Sequence, residues 1–190
     1  MDAGLAAVLG ALAGAVATTA AALATGWSAR EQAKITARGE HRRQRRDARQ
    51  AVYEEFIATV REQMAHASPL FEESPPEDQE ELDRHLQSSG VRDSASLLTD
   101  AYRLHTDALK VLTRVQLAGP KDVTTTAKSV CNRSFALTSS LASLISTPRE
   151  RDALRRSFRQ AEERLLKLDM GLDAFIDAAQ AALDDDGTTA

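Results

Sequence analysis

The sequence predicts an all-α protein: an N-terminal transmembrane helix that continues into a long basic helix, followed by an antiparallel helical bundle. Three observations carry this. No window of the 190-residue chain alternates apolar and polar residues with period two, whereas apolar residues recur at spacings of three and four through most of it. Residues 3–27 carry no charge. Charge is then segregated: residues 30–49 are basic and residues 50–190 acidic, although the whole chain has a net charge of only −4. Composition is otherwise average for a globular chain, with 43% hydrophobic and 27% charged residues. That excludes full disorder and a multi-pass membrane protein. A single cysteine, Cys131, excludes an intramolecular disulfide framework and a cysteine-rich zinc site.

As a helix, residues 3–27 are about 37 Å long, enough to cross a hydrocarbon core of about 30 Å. Eleven of the 25 residues are alanine and four are glycine. Leu5, Val8, Leu9, Leu12, Val16 and Leu23 therefore supply the insertion energy, about −2 to −4 kcal/mol together. Trp27 stands where an interfacial anchor belongs. A cleaved signal peptide, cut near Ala24 and giving an exported helical protein, is the competing reading. Against it, the chain before the apolar run carries Asp2 and no lysine or arginine. A soluble alanine-rich helix would need a polar stripe, and this segment has none. Lysine and arginine follow the segment, so the positive-inside rule places the N-terminus outside and the C-terminal bundle in the cytoplasm of a single-pass protein. Gly10 and Gly14 form a GxxxG pair through which two such helices can dimerise. In so small-residue-rich a run, composition alone also produces that spacing.

Residues 28–50 form a basic juxtamembrane helix or linker. Eight lysines and arginines between 30 and 49 face Glu31, Glu40 and Asp47, a net of +5, while residues 50–190 sum to −8. Lys34, Arg38, Arg42, Arg45 and Arg49 recur at spacings of four and three. With Arg30 they make one continuous basic face. An anionic lipid surface is one partner, at about 1 kcal/mol for each residue held near it. A straight helix carries Arg49 about 28 Å beyond Arg30, against a Debye length of about 8 Å. Only Arg30, Lys34 and Arg38 then feel the lipid, unless Gly39 bends the helix. Nucleic acid is not expected, because no aromatic or asparagine pattern interleaves the basic residues. The simplest role is a topology determinant and solvated linker.

Residues 51–183 read as a cytoplasmic bundle of four-helix type. Val52, Tyr53, Phe56, Ile57, Val60 and Met64 continue the basic helix to about His66, and Pro69 ends it. Ser74-Pro75-Pro76-Glu77 reads as a capping box opening a short acidic helix through about Gln87. The next helix spans about 93–117, with Leu97, Ala101, Leu104, Ala108, Val111 or Leu112, and Val115 in one stripe. Gly119-Pro120 then stops one helix and starts another. Val123, Ala127, Val130, Ser134, Leu137, Leu141 and Leu144 form an unbroken four-three repeat, widened by Leu117, Phe135 and Ile145. Thr147-Pro148-Arg149-Glu150 reads as a second capping box. Beyond it, Leu154, Phe158, Ala161, Leu165, Leu168, Leu172, Phe175, Ala179 and Ala182 keep the heptad spacing. Residues 184–190 read as a disordered acidic tail, because aspartates at a helix C-terminus oppose the macrodipole. Short connections favour an intrachain bundle over an inter-chain coiled coil.

No catalytic motif is present. The Glu-x-x-His pair of a di-iron bundle, the His-Glu-x-x-His of a zinc peptidase, the phosphate loop, the dinucleotide glycines and the nucleophile elbow are all missing. No cofactor or metal is expected. Glu81 and His85, four residues apart, read as an exposed helix pair. His105 reads as a core-edge histidine and Cys131 as a packing residue. A ligand pocket inside the bundle would draw on Ser134, His105 and Tyr102.

Two stretches carry a resemblance. Glu40-His41-Arg42-Arg43-Gln44-Arg45-Arg46 leads into Tyr53 and Phe56, and Val115-x-Leu117-x-Gly119-Pro120-x-x-Val123 follows later. With the Ala/Gly-rich first helix and an arginine-rich, lysine-poor composition, the chain resembles the uncharacterised single-pass membrane proteins of Streptomyces and related actinobacteria. The resemblance implies an architecture and no activity. The expected function is a membrane-anchored, non-catalytic module for protein–protein interaction or scaffolding. Its partners would be the membrane, a protein partner and a second copy of itself.

Overall fold

In a computed structural model the described residues are 2–72, 74–88, 94–146 and 150–188; side chains are described from Trp27 onward, apart from 28, 79, 94 and 186–188. The elements are α1 (Asp2–Ala67), a 3-10 turn (Ser68–Phe71), α2 (Gln79–Ser88), α3 (Ser94–Ala118), α4 (Lys121–Ser146) and α5 (Arg151–Thr188). Among the described residues there is no strand. The chain divides into two units, residues 1–45 and 46–190.

The first unit is helical from residue 2, and every described side chain from Trp27 to Arg45 is exposed. Gly39 continues the helix, with open space where a Cβ would stand. Among the described residues no helix is long and apolar enough to cross a membrane. The side chains of residues 2–26, on which the transmembrane expectation and the Gly10–Gly14 pair rest, lie outside the described ones.

The second unit is the bundle. Ion pairs and hydrogen bonds give its chain directions. Arg49, Glu55 and Glu62 of α1 meet Ala118, Arg114 and Arg103 of α3 in descending order, so the two helices are antiparallel. His105 and Ala108 of α3 meet Ser134 and Cys131 of α4, again in opposed order. Tyr53 meets Phe175 of α5 at 6.0 Å between ring centres, whereas Phe71, after α1, meets Phe158 at 5.1 Å. The helices therefore alternate in direction, as short connections require.

The four-three stripes are the core, as expected from the sequence. Leu97, Ala101, Leu104, Ala108 and Val115 are buried on α3, all seven stripe positions on α4, and Leu154, Phe158, Leu168, Leu172 and Phe175 on α5. Two residues expected to widen that face do not. Leu117 is 86% exposed and Phe135 is 53% exposed. Both lie off the stripe, and helical geometry turns them outward.

The helix starts differ instructively. α2 opens at Gln79, not at the expected Ser74 box, and its cap is Asp78. The Asp78 Oδ1 accepts the Glu81 amide at 2.9 Å, while the Glu81 carboxylate reaches back to the Glu77 amide at 2.5 Å. The box has moved four residues because Pro76 drives Pro75 out of the helical region, so Pro75 does not serve as a first helical residue. Glu77, freed from capping, pairs with Arg151 and Arg155 at the start of α5. Thr147, Pro148 and Arg149 lie outside the described residues. The Glu150 carbonyl accepts the Leu154 amide at 3.0 Å, so α5 opens within that predicted box. At its other end α5 runs to Thr188, past the end near residue 183 read from the apolar repeat. Arg46 stands 3.8 Å from Asp184 and offsets part of the aspartate charge there.

Candidate functional site

Two features stand out once the core is placed: a polar layer inside the bundle, and the basic face of α1.

The layer joins Gln63 of α1, His105 of α3, and Ser134 and Thr138 of α4. All four are buried. Gln63 continues the α1 stripe of Tyr53, Phe56 and Val60, so helical spacing points its amide into the core. The Ser134 hydroxyl donates to Gln63 Oε1 at 2.6 Å and lies 2.8 Å from His105 Nδ1. Gln63 Nε2 donates to Thr138 Oγ1 at 3.1 Å and to the Ser134 carbonyl at 3.5 Å, and the Thr138 hydroxyl donates to the same carbonyl at 3.1 Å. A carbonyl oxygen can only accept, so the Gln63 atom facing the Ser134 carbonyl is the amide nitrogen, which fixes the orientation of the amide. The single Ser134 proton goes to Gln63, so His105 donates through Nδ1–H and its Nε2 carries the lone pair. Burial lowers the His105 pKa and keeps the ring neutral. Phe135 covers the ring from outside, 5.5 Å away between centres.

This arrangement satisfies polar groups and activates none. The serine faces Nδ1 of the imidazole and spends its proton on an amide oxygen. Among the described residues no carboxylate orients the ring, and the hydroxyl is wholly buried. Tyr102 stays at the surface and does not join the layer. An open groove of about 440 Å³ does run between α1 and α5, lined by Tyr53, Ile57, Ile176 and Leu183 and rimmed by Arg46, Glu54 and Asp184. None of the layer residues lines it. Cys131 packs under the Ala108 carbonyl, and burial pushes its thiol up to about 12, so the thiolate is scarce at neutral pH.

The basic face divides in two. Arg30, Lys34, Arg38, Arg42 and Arg45 are exposed. Only Lys34 has a described ionic partner, Glu31 at 3.7 Å. Arg49 departs from this set. It is half buried, and its Nε donates to the Ala118 carbonyl at 2.7 Å, closing the C-terminus of α3.

Glu81 and His85 do not converge on a site: Glu81 caps its own helix and His85 is buried. Among the described residues no group of three or more histidine, cysteine, aspartate or glutamate side chains is placed to hold a metal. Sequence reading missed Gln63 and Thr138. The signal was present in the spacing 53, 56, 60, 63, 67, which places a glutamine in an otherwise apolar stripe. Comparisons with protein families, curated proteins and solved structures return no match.

Proposed function

We propose that this chain is a non-catalytic helical scaffold tethered to a membrane, with residues 3–27 as the span, the N-terminus outside and the bundle presented to a protein partner in the cytoplasm. The observation that carries the reading is the order of charge along the chain: 25 uncharged residues, then a net of +5 over 30–49, then a net of −8. That order is what the positive-inside rule reads. The exposure of Arg30, Lys34 and Arg38 supports their contact with anionic headgroups, and the mutual satisfaction of the buried layer supports a structural core over a substrate pocket.

A C-terminal dual reporter on the full chain tests this, combined with carbonate washing of membranes. Fluorescence retained in the washed membrane is the expected result. Phosphatase activity outside the cell, or release into the wash, sinks the reading.

A further inference from the structure

Among the described residues Arg30, Arg38, Arg42 and Arg45 on the basic face of α1 form no ion pair or hydrogen bond, and the chain carries a surface of matching chemistry elsewhere. From residue 168 to the C-terminus there are six aspartates and no lysine or arginine. Asp169, Asp173 and Asp177 lie on one stripe of α5, followed by Gln180, and all are exposed. Among the described residues none of these three aspartates forms an ion pair or hydrogen bond. The same holds for Arg38, Arg42 and Arg45 on α1. Like charges four residues apart repel along each stripe, so both faces gain from an opposite charge.

The spacings coincide. Positions 34, 38, 42 and 45 step by four, four and three, and so do 169, 173, 177 and 180. Any helical stripe recurs in this way. What is particular here is that one is basic throughout and the other is aspartate or glutamine throughout.

We propose that Lys34, Arg38, Arg42 and Arg45 of one copy dock on the Asp169, Asp173 and Asp177 stripe of α5 in a second copy. An anionic membrane is the competing occupant of the same basic face. It does not reach Arg42 and Arg45 on a straight helix, and it makes no use of the aspartate stripe. The proposal does not depend on the membrane anchor, which the topology test reads separately.

The full chain in neutral detergent, followed by sedimentation over a range of concentrations, provides the test. One variant carries Arg38→Glu, Arg42→Glu and Arg45→Glu; another carries Asp169→Arg, Asp173→Arg and Asp177→Arg; a third combines all six. Each triple variant is expected to weaken self-association by about tenfold or more, and raising salt from low to high should weaken the native chain similarly. The six-fold variant should recover association to within about threefold, which a mere folding defect does not do. Mixing the two triple variants should also restore it. A monomer at every concentration overturns the proposal, as does association that neither triple variant weakens. A further overturning result is loss of binding to phosphatidylglycerol vesicles in the arginine variant with no change of association in either; that assigns the face to lipid.

Discussion

Burial fixes the charge of His105, and this gives the fold a pH dependence of known sign. In the unfolded chain a histidine titrates near pH 6.5. In the bundle, desolvation holds its pKa below that. Above about pH 6.5 both states are neutral, so the full stability is present. As pH falls through that value, the unfolded chain takes up a proton that the folded one refuses, and stability drops by at most about 1.4 kcal/mol per pH unit. The loss continues until the folded pKa is reached. Urea unfolding between pH 7.5 and 5 should show this drop in the native chain and not in His105→Gln. An identical slope in both would mean that other groups carry it. His105 and Ser134 were legible in the sequence as polar residues at or beside a stripe. Gln63 and Thr138 were not, because glutamine on a helix is mostly exposed, and its partner lies 71 residues away.

At the scale of elements, the α3–α4 corner shows what spacing reveals and what it hides. Gly119-Pro120 announced the stop and restart, and α3 ends at Ala118 while α4 begins at Lys121. The reason for glycine is a different one from that expected. A Cβ at Gly119 would stand 2.9 Å from the Tyr53 hydroxyl and 3.0 Å from the Val115 carbonyl oxygen. The close approach of α1, and not the helix stop alone, forbids a side chain there. Gly119→Ala is expected to cost about 1–3 kcal/mol in denaturant unfolding, and Tyr53→Phe should relieve part of it in the double variant. Additivity of the two would show that the contact does not limit the corner. Gly171 has a related role, since the Arg133 side chain crosses its face to donate to the Lys167 carbonyl at 2.6 Å. Neither contact has a local signature, because each joins residues on different helices. The α2 cap, by contrast, was written locally as Asp78-Gln79-Glu80-Glu81 and was outcompeted in reading by the proline pair before it.

At the scale of the molecule, the bundle was legible because four stripes of the same period, joined by short connections, admit few arrangements. Which apolar residues would face solvent was less so: Leu117 and Phe135 look like core by composition and are turned outward by helical phase. The buried layer lies between two aromatic clusters, with Tyr53, Phe56 and Phe175 on one side and Phe71 and Phe158 on the other. Replacing it wholly, with Gln63→Leu, His105→Leu, Ser134→Ala and Thr138→Val, should leave the melting temperature unchanged or higher, because apolar packing replaces desolvated polar groups. The amide spectrum should nevertheless broaden. A spectrum as sharp as that of the native chain would assign uniqueness to the apolar core alone.

The layer also acts as a ratchet stop. Heptad stripes tolerate sliding, since each apolar residue meets another seven positions along. If α1 slid by one heptad, the Gln63 amide would face the level of an aromatic cluster and lose its three hydrogen bonds, while the Ser134 hydroxyl lost its acceptor. Several buried polar groups would be stranded at about 1–3 kcal/mol each. One glutamine thus makes sliding discontinuous, and a helix that starts in the wrong notch has reason to leave it.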